Sequence, residues 1–237
     1  MNRLLTITKT YLNDFTGLLY PELCCACNSN LVNQETVLCT RCEYELPRTH
    51  FHKVMGNPVE QTFWGRVVIE RATSFFFFLK GSRYRKLLHQ LKYKGRKDIG
   101  IELGRLFGKD LSSEPAFTEI DLIIPVPLHP RKERIRGYNQ SEMIAIGLAH
   151  FLPGKVDTQS LYRKTFTETQ TKKSRFERWE NVGEVFGVRE PEKLDGKHIL
   201  LVDDVLTTGA TLEACASVLH AATNVKISIA TLAYASV

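Results

Sequence analysis

The stretch from His198 to Thr211, His-Ile-Leu-Leu-Val-Asp-Asp-Val-Leu-Thr-Thr-Gly-Ala-Thr, sets two carboxylates at the end of an apolar run, with a hydroxyl- and glycine-rich turn directly after them. Adjacent carboxylates accept hydrogen bonds from the vicinal hydroxyls of a sugar and can orient Mg²⁺ directly or through its waters. A turn that opens a helix offers backbone N–H groups and the positive end of the helix dipole, so Thr207, Thr208, Gly209, Ala210 and Thr211 suit a phosphate. Gly209, lacking a Cβ, lets the backbone approach such a ligand closely. If the strand continues through Asp203 and Asp204, the pair points to opposite faces and their roles differ. No G-x-x-x-x-G-K-[ST] occurs, which excludes a Walker A loop.

Three basic segments accompany the acidic pair. Between Pro125 and Gln140 stand Arg131, Lys132, Arg134 and Arg136 against the one acid Glu133. Charge-assisted contacts beside a helix N-terminus suit a pyrophosphate. Val126, Pro127, Leu128, Arg131, Arg136, Gly137, Tyr138 and Asn139 are therefore the candidate pyrophosphate loop, with a solvated basic loop as the alternative. From Lys80 to Arg105 there are nine Lys/Arg and two acids. Within that run, Lys92, Tyr93, Lys94 and Arg96 could stack and pair with a base or a single nucleic-acid strand; a solvated helix face is the alternative. Residues 161–182 hold Arg163, Lys164, Lys172, Lys173, Arg175 and Arg178 without a clear period, and Gln170, Lys173 and Arg175 mark a candidate mobile loop. Helical packing through Phe176 and Trp179 is an alternative for its second half.

Five of the six cysteines lie between Cys24 and Cys42. Cys24, Cys27, Cys39 and Cys42 form two C-x-x-C pairs separated by eleven residues, a spacing that lets two turns complete a tetrahedron of thiolates around a structural Zn²⁺. Cys25 adjoins Cys24 as a possible substitute, but Cys24 has the usual spacing to Cys27. The span between the pairs carries no Lys or Arg, which points to a structural role rather than direct reading of nucleic acid. Cys215 stands alone on an apolar helix face and reads as core.

These groups need elements to hold them. Residues 1–20 read as a short amphipathic helix, 21–50 as the Cys-rich module, and Gly56, Asn57 and Pro58 as a linker. Strands are expected at 72–79, 121–126, 185–188, 198–202 and 225–234. Helices are expected at 83–93, 101–110, 141–152 with Asn139 as N-cap, and 211–222. Strands alternating with helices imply an α/β fold with a parallel sheet. The domains are then 1–50, helix and four-Cys module, and 60–237. The chain has 237 residues, 43% hydrophobic and 24% charged, which excludes a disordered or disulfide-stapled chain. Its net charge of +6 favours anionic partners. Lys9 and Asp14 interrupt any secretory apolar stretch, and no run is long enough to span a bilayer, so a cytoplasmic chain without membrane insertion is expected.

The thirteen positions 199–211 resemble the phosphoribosyl pyrophosphate (PRPP) signature of type I phosphoribosyltransferases. Together with the four-Cys module, Leu-Lys-Tyr-Lys-Gly-Arg at 91–96 and Pro-Val-Pro-Leu-His-Pro-Arg-Lys-Glu-Arg-Ile-Arg-Gly-Tyr-Asn-Gln at 125–140, the chain resembles the ComF family of competence-associated proteins from about Pro21 onward. The resemblance implies a type I phosphoribosyltransferase-like parallel sheet flanked by helices, with a small zinc-binding module. It implies that Asp203 and Asp204 hold ribose as the catalytic pair, that residues 207–211 hold the 5′-phosphate, and that the 126–139 loop holds Mg²⁺-pyrophosphate. A mobile loop in the position of residues 161–182 would close over PRPP, and a hood at about 60–110 would read the base. The implied role is uptake or processing of transforming single-stranded DNA together with the uptake machinery; an active nucleobase transferase of nucleotide salvage is the alternative.

Overall fold

The computed structural model describes residues 21–32, 34–164 and 185–235. The helix expected in residues 1–20 and the candidate mobile loop with Gln170, Lys173 and Arg175 lie outside the described residues. Contacts divide the chain into Met1–Leu46 and Pro47–Val237. The first unit carries helix α1 (Thr40–Tyr44). The second runs α2 (Pro58–Gln61), β1 (Arg71–Phe77), α3 (Arg85–Tyr93), α4 (Lys97–Leu111), α5 (Pro115–Thr118), β2 (Leu122–Pro125), α6 (Pro130–Arg136), α7 (Gln140–Leu148), β3 (Lys155–Val156), β4 (Leu161–Arg163), β5 (Phe186–Val188), β6 (His198–Leu206), α8 (Ala210–Ala222) and β7 (Lys226–Tyr234).

Five strands form one parallel sheet in the order β1-β7-β6-β2-β3, while β4 and β5 pair as a separate antiparallel ribbon. β6 lies at the centre, and Ile199, Leu200, Leu201 and Val202 are all buried, as a strand covered on both faces requires. On one face Ile199, Leu201, Ile227 and Ile229 pack with Leu212, Cys215 and Leu219 of α8. α7 covers β6 and β2, and α4 packs tightly against α7. That close approach uses glycine: a Cβ on Gly147 would lie 2.8 Å from the Arg105 backbone nitrogen, so the helix backbones touch where larger residues would hold them apart.

The order of the strands locates the site. After β2 the chain moves outward to β3, whereas after β6 it moves the other way to β7. In an open parallel sheet the crevice at such a reversal, beyond the carboxyl ends of the strands, is where ligands bind. Here it opens between the ends of β2 and β6, from which residues 126–139 and 207–211 emerge.

The structure corrects several element assignments. The expected linker at Gly56, Asn57 and Pro58 is instead the start of α2 and part of the core. Asn57 is buried, its carbonyl oxygen accepts from the amides of Val59 (2.9 Å) and Glu60 (3.2 Å), and its amide donates to the carbonyls of Phe51, Val54 and Ala72. The basic stretch is not an open loop across 130–136: Pro130 at the first helical position and a His129 Nδ1 cap on the Arg131 amide (3.1 Å) start α6, and Gly137 at φ 82° ends it. β6 runs on to Leu206, so both aspartates belong to the strand. The start of the 161–182 stretch, without a clear period in the sequence, is the strand β4, paired with β5.

Candidate functional site

Alternation along β6 places Asp203 in the series of Ile199 and Leu201, and Asp204 in the series of Leu200 and Val202. Ser141, at the N-terminus of α7, donates its hydroxyl to Asp203 Oδ1 at 2.9 Å, and the Asp204 amide donates to the same oxygen at 2.9 Å. Burial, followed by the neighbouring Asp204 carboxylate, pushes Asp203 up to about 7. Asp204 accepts from Lys92 Nζ of α3 through both oxygens, at 3.0 and 2.8 Å. The crevice thus holds one carboxylate that favours its proton and one neutralised by a lysine.

At the end of β6, Asp203 and residues 205–212 line a cavity of about 40 Å³. Thr207, Thr208, Ala210 and Thr211 are exposed, and Gly209 is buried at φ 75° as the N-cap of α8. A Cβ on Gly209 would meet Thr62 Cγ2 at 2.9 Å and the Phe63 ring at 3.1 Å. Arg66 braces the same turn: its guanidinium donates to the carbonyls of Thr208 (2.8 Å) and Thr62 (3.0 Å) and pairs with Glu213 in the first turn of α8. The turn is therefore held from one side by residues 62–66, while Thr207, Thr208, Ala210 and Thr211 remain exposed.

The second loop is drawn together by Asn139. Its amide donates to the Val126 carbonyl at 2.9 Å and its oxygen caps α7 on the Ser141 amide at 3.0 Å, as expected of an N-cap. Val126 also donates its amide to Val202 of β6 at 2.8 Å, which fixes the loop's start beside the aspartates. Tyr138 is buried and donates its hydroxyl to the Leu91 carbonyl, tying this loop to α3. Pro127 and Leu128 are half-buried, Arg131 is exposed, and the Arg136 guanidinium lies 5.6 Å from the centre of the Tyr93 ring. Between α3 and α6 a cavity of about 320 Å³ is lined by Lys92, Tyr93, Gly95, Lys132, Ile135 and Arg136. Lys94 is exposed and Arg96 pairs with Asp98 at 2.6 Å; neither lines the cavity.

Sequence reasoning missed Ser141, Thr62, Phe63 and Arg66 as parts of the site. No local pattern marks them, because each acts from a different element through tertiary contact. Ser141 alone had a signal, its place two residues after the Asn139 cap.

In Met1–Leu46 the sulfurs of Cys24, Cys27, Cys39 and Cys42 all lie within 4.8 Å of one another and could hold a metal ion; Cys25 is buried and outside this group. Cys27 and Cys39 are 3.7 Å apart, close to the roughly 3.8 Å that a tetrahedron with metal–sulfur bonds of about 2.3 Å requires. The Cys39 amide donates to Cys24 Sγ at 3.4 Å, and Glu35 accepts from the amides of Val32 (2.9 Å) and Thr40 (2.6 Å), closing the intervening turn. Ser29, through its hydroxyl and backbone, pulls Cys27 down to about 6, whereas burial pushes Cys42 up. Four converging thiols complete the tetrahedron and leave no open coordination position.

Fold and crevice define a phosphoribosyltransferase-type domain, and residues 152–236 match the phosphoribosyl transferase domain family. Over 201 residues the chain is 31% identical to DNA utilization protein YhgH of Escherichia coli O157:H7, covering 83% of each. It is 25% identical to competence protein F of Haemophilus influenzae over 213 residues, 83% of this chain and 90% of that one. It is 30% identical to competence protein ComFC of Bacillus subtilis over 137 residues, 56% of this chain and 51% of that one. The chain belongs to the ComF family, which includes these proteins. Among the described residues no helix is long and apolar enough to cross a membrane.

Proposed function

We propose that this chain binds PRPP, or a related sugar phosphate, at the crevice between β2 and β6 and serves the handling of transforming single-stranded DNA in the cytoplasm. Asp203 and Asp204 accept from the ribose hydroxyls, the turn at 207–211 cradles the 5′-phosphate, and the 126–139 loop with Arg131 and Arg136 takes the pyrophosphate, with which Mg²⁺ enters. The observation that carries this reading is the convergence, at the topological reversal of the sheet, of two adjacent carboxylates with an exposed threonine- and glycine-rich turn at a helix N-terminus. Zn²⁺ is the metal proposed for the four-Cys cluster, where it is structural. The DNA role is supported by the names of the relatives and by the cations around Lys92 and Lys94.

Calorimetric titration of the full chain with PRPP and Mg²⁺ tests the site. Binding is expected for the wild type and is expected to be lost in the Asp203→Asn/Asp204→Asn double variant; a wild type that binds no PRPP sinks the reading. Release of pyrophosphate on adding nucleobases would make the protein a salvage transferase rather than a binding protein. Single-stranded DNA affinity is expected to fall steeply with salt, with a slope of about −0.7 per phosphate neutralised.

A further inference from the structure

The cavity between α3 and α6 and the sugar crevice share one side chain. Lys92 lines the cavity, yet its ammonium sits on both oxygens of Asp204. The cavity's other walls bring Lys132 and Arg136 and no carboxylate, and its rim exposes Tyr93 (67%) and Ile135 (87%). Cations round an exposed ring, with an apolar neighbour beside it, match one nucleotide unit: a base to stack on Tyr93 and a phosphate for the cations. The Arg136 guanidinium, 5.6 Å from the ring centre, and the tilted His89 ring, 5.1 Å away, already flank Tyr93, so a base would enter by displacing one of them.

We propose that this cavity is a second ligand site, for a nucleotide unit, and that Lys92 couples it to the sugar site with positive sign. The inference rests on the sugar-phosphate reading of the crevice. In the empty protein, ribose hydroxyls compete with Lys92 for the acceptor oxygens of Asp204. A phosphate in the cavity draws the ammonium away and uncovers them. Whichever ligand arrives first must detach the pair, and the second then binds without that cost. Linkage makes the effect reciprocal, so each ligand tightens the other by the same factor, about fivefold for a coupling at the low end of the usual range.

Titration of the full chain with ribose 5-phosphate, with and without saturating oligothymidylate, reads the coupling. A gain of about fivefold is expected with the oligonucleotide. The gain is expected to vanish in Lys92→Met and to survive in Lys92→Arg, which keeps the ion pair. A parallel arm with thymidine monophosphate identifies the source: a gain from the mononucleotide assigns the cavity to a free nucleotide, and a gain from the oligonucleotide alone assigns it to a strand. Ribose 5-phosphate binding that ignores both, or a gain that persists in Lys92→Met, overturns the coupling while the sugar site stands. Failure of ribose 5-phosphate to bind the wild type overturns the sugar site and the coupling with it.

Discussion

The four-Cys turns and the crevice at the end of β6 are both built to hold charge, but from opposite materials. Around the cysteines the partners are close in sequence: Glu35 reaches Val32 and Thr40, three and five residues away, and the Cys39 amide reaches Cys24 across fifteen. Around the aspartates they come from afar. Ser141 is 62 residues from Asp203, Lys92 is 112 from Asp204, and Arg66 is 142 from Thr208. The cysteine site also closes on itself, since four thiols complete a tetrahedron. The crevice stays open, its carboxylates held by side chains that the proposed sugar would have to displace or share. A site made locally for an ion can be rigid and independent of the rest of the chain. A site made for an exchanging ligand draws its supports from several elements, and those supports are where affinity can be adjusted.

The largest test removes the Zn²⁺ proposed for the four cysteines. Structural Zn²⁺ on four thiolates contributes on the order of 10 kcal/mol of apparent binding free energy at neutral pH. A strong chelator is therefore expected to abolish amide protection in residues 21–46 while β6 and α8 keep theirs, as read by hydrogen exchange. Protection that survives complete metal removal would break the contrast on its local side. Next in size is Gly209→Ala. The φ of 75° and the Thr62 methyl 2.9 Å away leave the new Cβ no relaxed position, and a strain of about 2 kcal/mol is expected. It should appear as a lower denaturation midpoint and at least tenfold weaker ribose 5-phosphate binding; unchanged binding would show that the turn is not the phosphate cradle. Arg66→Gln comes third, at about 1.5 kcal/mol for the charged hydrogen bonds it loses. It should weaken ribose 5-phosphate binding and leave inorganic pyrophosphate binding nearly unchanged. Equal loss for both ligands would mean that Arg66 supports the whole fold rather than the turn.

The same contrast explains how much could be read in advance. The convergence of Cys24, Cys27, Cys39 and Cys42 follows from spacing alone, because two C-x-x-C turns carry their geometry with them. The central strand and α8 followed from an apolar run and helical periodicity, and the Asn139 cap from its position before Glu142. Asn57 was misread because a Gly-Asn-Pro run has the composition of a linker; only the fold reveals that its amide joins the three carbonyls of Phe51, Val54 and Ala72. The helix within the basic segment was concealed by its charge, since a short helix whose residues are not buried has no apolar stripe to announce it. Thr62, Phe63 and Arg66 left no trace in the motif they support, because their role exists only once β6 and α8 have placed Gly209 against them.

The smallest effect is the most discriminating, since it asks whether the crevice is held at a cost to stability. In the folded chain Asp203 keeps its proton up to about 7, whereas its ordinary value is 3.8. Between those values the native state binds more protons than the unfolded state, so raising the pH lowers stability as far as this group is concerned. Its contribution is complete below the unfolded value and is lost as the pH rises through the folded one. Asparagine does not ionise, and its side-chain oxygen can accept from both the Ser141 hydroxyl and the Asp204 amide, as Asp203 Oδ1 does. Relative to wild type, Asp203→Asn should therefore be nearly neutral near pH 4 and gain as the pH rises to 7, reaching at least about 1 kcal/mol at pH 8, the worth of a single unit of pKa shift. Melting temperatures of the two proteins across that range, in ligand-free buffer, give the difference directly. A variant less stable than wild type at pH 8 would mean that the ionised carboxylate is the preferred native form, and that the crevice, like the cysteine turns, is built for its charge before any ligand arrives.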